Sequence, residues 1–153
     1  MVFFKVRKDG GQESKVTGYW LAEIKKLFSV VLLHFADGSR DAYHSHAFNS
    51  ISWVLKGELN EYPLKVVPYP NPRYFWMPDR PNVYRPSLKP VITPRDMMHK
   101  VISKGDTWVL SFRGPWAKYW HEFFINSEGP QFITLTNGRF KIDYKNIEEA
   151  ING

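Results

Sequence analysis

Hydrophobic residues occur in short runs that alternate with polar residues and end at glycine or proline. This period-two pattern is typical of β-strands with one buried face. Turn-forming residues follow several of the runs, as at Gly10, Gly38 and Gly105. The pattern therefore predicts an all-β sandwich or barrel, with strands at residues 2–8, 28–35, 43–46, 51–55, 58–67, 74–77, 99–103, 107–112, 118–124, 131–136 and 139–144.

Residues 18–28 fit two periodicities. Their apolar positions match one face of a helix. A strand is the better prediction, because the segment continues directly into the β-branched run 28–35.

The last part of the chain carries a hairpin signal. Asn137 and Gly138 form a two-residue turn sequence between two strand-like runs. Asn146 can cap a short helix that extends to Ala150. We therefore expect one domain over residues 1–153, with the hairpin and helix at 131–150.

The length and composition restrict the class of protein. A chain of 153 residues is long enough for one domain with a real core. The absence of cysteine excludes disulfides, thiolate ligands and a cysteine nucleophile, and it favours a cytoplasmic location. The first residues carry charge too early for a secretion signal, and the longest apolar run, 28–35, is far shorter than the ~20 residues of a membrane span.

The net charge of +6 favours an anionic partner. Arg85 and Arg113 could each bind a carboxylate or phosphate, since guanidinium recognises such anions through paired hydrogen bonds, although either could be an ordinary surface charge. The region 80–100 mixes basic residues, prolines and Tyr84, as a single-strand nucleic-acid surface does. An ordinary loop has the same composition, so nucleic-acid binding is the less favoured prediction.

Three histidines form the candidate chemical centre. His44 and His46 are two residues apart, so on a strand both rings leave the same face. His99 lies far downstream, at the start of the strand predicted for residues 99–103. Three neutral imidazoles with open positions suit Fe(II), Zn(II), Mn(II) or Ni(II). Without a fold that brings His99 to the pair, the histidines could equally be ordinary core or surface residues.

The motifs around these histidines resemble those of the cupins. His44-x-His46 followed by Gly57 is similar to the first cupin signature, and Pro94-x-Asp96-x-x-His99 is similar to the second. The resemblance covers roughly residues 18–125. It implies a jelly-roll barrel, the double-stranded β-helix, with a metal ion held inside it by His44, His46 and His99.

A narrower group of small bacterial and phage cupins, often labelled cysteine-dioxygenase-like, shares further positions. These are Leu33-His34, His44 to Phe48, Gly57 to Glu61, Met98 to Val101, and Gly114-Pro115 with Trp120. The group implies a dioxygenase-like oxidoreductase with Fe(II) as the expected metal.

The sequence also departs from the cupin pattern. Ser50 and Ile51 stand where typical cupins carry a glutamate, Asp96 replaces the turn glycine, and no cysteine is present for a cysteine–tyrosine crosslink. The identity of the substrate therefore does not carry over.

Glu61 is the candidate catalytic residue. It could fix a histidine tautomer, ligate the metal or act as a general base, or it could be a solvated strand residue. His34 and Trp120 join Arg85 and Arg113 as candidate substrate-binding residues, with core packing as their alternative role. His121, beside Lys118 and Glu122, is expected to be exposed.

Together these observations predict a cupin metalloprotein that acts as a dioxygenase on a small anionic molecule, with a homodimer as a candidate assembly. The alternatives are a non-catalytic jelly-roll module, encoded by a phage or its host, that binds a small ligand or a partner protein, and a structural role in a virion.

Overall fold

The computed structural model describes residues 1–10, 14–38, 43–66, 75–76, 80–126, 129–136 and 141–142. These residues form thirteen strands and, among them, no helix. The strands are β1 (Val2–Lys8), β2 (Val16–Ile24), β3 (Phe28–Phe35), β4 (Tyr43–His44), β5 (Ser50–Pro63), β6 (Lys65–Val66), β7 (Phe75–Trp76), β8 (Asn82–Tyr84), β9 (Val91–Thr93), β10 (His99–Arg113), β11 (Tyr119–Asn126), β12 (Gly129–Thr136) and β13 (Lys141–Ile142).

Strand β10 is the centre of the sheet. Eleven strands form one curled antiparallel sheet in the order β1-β2-β3-β10-β4-β11-β12-β13, and β5 joins it through β10 and carries β8 and β9. The strands β6 and β7 make a separate pair. This arrangement confirms the predicted all-β class, and it confirms the strand rather than the helix for the segment that begins near Gly18.

Two predicted breaks between strands are wrong. The sequence suggested that one strand stops at Lys56 and Gly57, and that a tight turn at residues 104–106 separates two others. In the structure, β5 and β10 run through these points as single strands of 14 and 15 residues. Gly57 and Gly105 take positive φ angles of 85° and 70°. The register in which β5 pairs with β10 shifts near these two glycines. The glycines therefore form an irregularity within a continuous ribbon.

This irregularity changes which side chains of β5 face inward. Before it, Ser52 and Val54 line the inner cavity, at even positions; after it, Leu59 and Glu61 do so, at odd positions. A slip of one residue moves every following side chain to the opposite face of a strand. The bulge at Gly57 therefore places Glu61 on the same face as His99 of β10.

Replacing Gly57 by alanine is expected to destabilise the protein more than the same change at Gly105. A Cβ at Gly57 would lie 2.3 Å from Thr107 Oγ1 and 2.7 Å from the Asp106 carbonyl oxygen, whereas at Gly105 nothing lies within 4 Å. The strained φ should cost about 1–2 kcal/mol at either glycine. Displacing the buried Thr107 hydroxyl should add roughly 1–3 kcal/mol at Gly57. Urea unfolding of both variants measures the difference; equal losses would contradict it.

Several other predictions concern the ends of strands. The strand predicted for residues 43–46 stops at His44, so His46 lies beyond it. The predicted C-terminal hairpin is confirmed in its pairing of β12 with β13. Its turn and the predicted helix at residues 146–150 lie outside the described residues.

Within the described part of the chain, no helix is long and apolar enough to cross a membrane.

The core lies on the concave side of the sheet. Its buried residues come from β2, β3, β5 and β10, and they are Val16, Trp20, Val31, Leu33, Val54, Leu59 and Val109. Packing is incomplete, because a cavity of about 440 Å³ remains between this core and the histidines. Such a volume is within the range of small-molecule pockets.

Candidate metal centre

The structure brings the three histidines together. His99 begins β10 and pairs in register with His44 of β4, which places the two residues side by side. The ring centroids of His44 and His46 are 5.0 Å apart, those of His44 and His99 are 5.2 Å apart, and those of His46 and His99 are 4.9 Å apart. All three rings line the cavity.

His46 reaches this cluster although it lies beyond the strand. Its backbone N–H donates to the Arg95 carbonyl at 2.9 Å. The intervening Ser45 is buried, and its N–H donates to the His121 carbonyl at 2.9 Å while its hydroxyl accepts from the His121 N–H at 2.8 Å. The short connection is thereby fixed on both sides, so that the rings of His44 and His46 converge.

The cluster fits a divalent metal ion. One nitrogen from each ring lies within 4.8 Å of the others. The Nε2 atoms of His46 and His99 are 2.7 Å apart. Two imidazole ligands at ~2.0–2.1 Å from one ion have their nitrogens about 3–3.4 Å apart. The Nε2 atoms of His46 and His99 therefore need to move apart by only a few tenths of an ångström to bind the same ion. The three-histidine cluster therefore supports a divalent metal as the cofactor.

Glu61 sets the orientation of His99. Its Oε1 lies 2.6 Å from His99 Nδ1, and both side chains are 4% exposed. With Nδ1 donating to the carboxylate, Nε2 keeps its lone pair and faces the other two histidines. A carboxylate on the far nitrogen of a metal-binding histidine is the usual means of fixing its tautomer.

The other oxygen of Glu61 also has partners. Oε2 accepts from the Tyr84 hydroxyl at 2.8 Å and from Asn82 Nδ2 at 3.3 Å, both on β8. Burial alone would raise the pKa of Glu61, but its interaction with His99 and the hydrogen bonds from Tyr84 and Asn82 lower it overall. Burial, followed by the Glu61 carboxylate, raises the pKa of Tyr84. Glu61 is therefore an ionised, buried acceptor, and its alternative role as a solvated strand residue is wrong.

Arg113 lies at a different part of the cavity wall. The side chain is 4% exposed, and its two terminal nitrogens donate to the Asp9 carboxylate at 2.6 and 3.4 Å. Its guanidinium carbon lies 4.6 Å from the centroid of the Phe48 ring. Arg113 thus lines the cavity, but Asp9 already occupies the paired donors that would hold an anion.

The remaining sequence-predicted residues are divided between the cavity and the surface. Trp120 lines the cavity and meets Trp116 edge-on at 6.3 Å. His34 is not among the lining residues; it stacks on Trp108 at 4.6 Å. Arg85 is also outside the lining, because its 70% exposed side chain pairs with Glu58 at 2.7 Å. The structure therefore brings together the histidines, Glu61, Arg113 and Trp120.

His121 differs from its prediction. It is half-buried rather than exposed, its Nδ1 lies 3.0 Å from Thr134 Oγ1, and burial lowers its pKa. The sequence analysis expected exposure because charged neighbours flank the histidine, but alternate residues of a strand point to opposite faces.

Sequence reasoning also missed cavity residues. Tyr84 was noted only as part of a basic region, and Asp9 was not singled out. Trp20, Phe48 and Trp116 line the cavity as well. Phe48 gave the one local signal for a cavity residue, because it lies two residues after His46. Residues two apart in an extended chain can point to the same side.

Comparison with known proteins identifies the fold. No family model and no curated protein matches the sequence. An RmlC-like cupin from Shewanella frigidimarina NCIMB 400 superposes with a TM-score of 0.52 at 15% identity, over 73% of this chain and 84% of that one. The polyketide cyclase RemF from Streptomyces resistomycificus gives 0.58 at 14% identity, over 81% and 82%. The Fe(II) form of HppE gives 0.50 at 14% identity, over 71% of this chain and 55% of that one.

These similarities show the fold of the protein. The described strands have the cupin-type double-stranded β-helix fold, as the histidine motifs predicted. Because identities of this size carry no detailed function, the chemistry must be argued from the site itself.

Proposed function

We propose that the protein is an Fe(II)-dependent dioxygenase that acts on a small anionic molecule. The observation that carries this proposal is the three-histidine cluster, with its ligand atoms within 4.8 Å of one another, at the wall of a cavity of about 440 Å³. A three-histidine set leaves coordination positions open, whereas a structural site closes them with protein ligands.

The charges around the cavity support an anionic substrate. Four cationic side chains line it. Arg7 and Arg113 are paired with the carboxylates of Glu23 and Asp9, which leaves Lys8 and Lys25 against Glu61. An excess of positive charge around a cleft with low-dielectric walls attracts anions and speeds their association.

The protein residues have separate tasks in this proposal. Bound Fe(II) would activate dioxygen, whereas bound Zn(II) would supply a water molecule with a lowered pKa. His44, His46 and His99 hold the ion. Glu61 acts through His99, because both of its oxygens already accept hydrogen bonds inside the protein. It is thus a positioning residue rather than a base that contacts substrate.

Nitric oxide tests whether the site can do oxygen chemistry before any substrate is known. Protein stripped with chelator and loaded anaerobically with Fe(II) is expected to bind nitric oxide and give the EPR signal of an iron nitrosyl. Oxygen uptake with a panel of small carboxylates follows, with Zn(II)-loaded protein as the matched control. Iron that binds but gives no nitrosyl would contradict the dioxygenase. Protein that binds ligand but no divalent ion would be the non-catalytic module.

A further inference from the structure

The part of the cavity around Arg113 has aromatic walls. Phe48 is 7% exposed, and its ring centroid lies 5.5 Å from that of His46 and 5.4 Å from that of Trp116. Trp120 continues the series beyond Trp116. Phe48 therefore lies between the histidine cluster and a group of indole rings, and a flat ring beside it would be close to both.

Cations lie against these aromatic rings. The Arg113 guanidinium is 4.6 Å from the Phe48 centroid, and Lys25 Nζ is 4.9 Å from the Trp116 ring. Arg7 covers Trp20 at 4.0 Å. Such contacts hold the rings in place, because a cation is attracted to the negative face of an aromatic ring.

Three buried donors in this region have no hydrogen-bond acceptor among the described residues. They are the indole N–H groups of Trp20 and Trp116 and the Nε–H of Arg113, and all three residues line the cavity. Buried donors are nearly always paired in folded proteins, since an unpaired one loses its bond to water and gains nothing. All three can only donate, so the group that satisfies any of them must be an acceptor.

Trp116 is the donor that can adjust most easily. It is half-buried, on the loop between β10 and β11, whereas Trp20 is 1% exposed within the core. Arg113 cannot turn so freely, because Asp9 holds both of its terminal nitrogens.

We propose that this region is a binding site for an aromatic acid, with its ring against Phe48 and Trp116 and an acceptor oxygen at the Trp116 N–H. The inference rests on the proposed function, which it deepens by naming the substrate class. The ring then lies beside His46, and the negative charge of the acid lies near Lys25, whose Nζ is 4.9 Å from the Trp116 ring. Trp116 is the specificity-determining residue, because it supplies both a ring face and a donor.

Calorimetric binding of two matched acids tests the site. The probes are 2-naphthoate and its saturated analogue decahydro-2-naphthoate, which share a charge and a carbon skeleton. Titrations use full-length protein, both chelator-stripped and loaded with Zn(II). We expect 2-naphthoate to bind roughly 10-fold more tightly in both forms, because stacking and cation–π attraction require an aromatic ring.

Single substitutions locate the binding. Trp116→Phe keeps a ring but removes the donor, so it should weaken 2-naphthoate roughly 3- to 10-fold. Trp53→Phe is the matched control: the Trp53 N–H donates to the Leu88 carbonyl at 3.0 Å, and Trp53 does not line the cavity. It should leave the affinity unchanged.

The outcomes separate this inference from the metal proposal. Tighter binding of 2-naphthoate that depends on Trp116 but not on Trp53 supports the aromatic-acid site, even if the protein fails to bind Fe(II). Equal affinity for the two acids, no measurable binding of either, or insensitivity to Trp116→Phe overturns it, even if the metal site is confirmed.

Discussion

Replacing His99 with alanine is expected to abolish divalent metal binding while the barrel stays folded. The change removes one of three imidazole ligands, and its Nε2 lies only 2.7 Å from that of His46. Two neutral ligands are too few for a stable mononuclear site. We expect the metal affinity to fall by more than about 100-fold. Losing only the hydrogen-bond partner of a metal ligand already lowers the affinity by up to that factor. Elemental analysis of untagged protein and metal-induced shifts of the melting temperature measure this.

A matched histidine substitution serves as the control. His34 lies outside the cavity lining and stacks on Trp108, so His34→Ala should keep the metal at the wild-type level. If His99→Ala retained wild-type metal occupancy, or if both variants lost the metal equally, the three-histidine assignment would be wrong.

His99→Ala also carries a stability risk that must be separated from metal loss. The change leaves the buried Glu61 carboxylate without its shortest hydrogen bond, of 2.6 Å. Circular dichroism should show that the variant is folded before its metal content is interpreted. His46→Ala offers a second test, because His46 is half-buried and its loss leaves the Glu61–His99 pair intact.

The fold and the three histidines could be predicted because their signals are local. Alternation of apolar and polar residues follows from the period of a strand, whatever its partners are. His44 and His46 belong to one short motif and His99 to another, so each was recognisable without knowledge of the pairing. The structure adds the pairing itself, in which His99 stands opposite His44 in the sheet.

The supporting contacts could not be predicted, because they join distant parts of the chain. Arg113 and Asp9 are 104 residues apart and meet only after the sheet has curled. Strand β8, which carries Asn82 and Tyr84 to Glu61, was not predicted. The sequence suggested a strand end at Gly57, where the structure has a bulge, and only the observed register shows that this bulge turns Glu61 inward.

Replacing Glu61 with glutamine is expected to lower both stability and metal affinity, although the side chains have nearly the same size. Three donors converge on the carboxylate: Nδ1 of His99, the hydroxyl of Tyr84 and Nδ2 of Asn82. A carboxylate can accept from all of them, but an amide accepts on one atom and donates from the other. Whichever way the amide turns, its NH2 group faces at least one of these donors.

The size of the effect follows from the burial of the pair. Hydrogen bonds to a charged group contribute about 1.5–3 kcal/mol each, and neutralising the buried carboxylate weakens those that Glu61 accepts. We expect the lower end of that range, because glutamine keeps one acceptor and the packing. Metal affinity should fall by roughly 10- to 100-fold, since His99 loses the partner that fixes its tautomer. Urea unfolding of chelator-stripped protein and competitive metal titration measure the two effects separately.

Glu58→Gln is the control for this substitution on the same strand. Glu58 pairs with the exposed Arg85, and solvent weakens such surface pairs, so its loss should cost at most about 1 kcal/mol and leave the metal affinity unchanged. A Glu61→Gln variant that matched Glu58→Gln in both measurements would remove Glu61 from the site. Complete loss of the metal would instead make Glu61 a direct ligand, contrary to the hydrogen bonds that engage both of its oxygens.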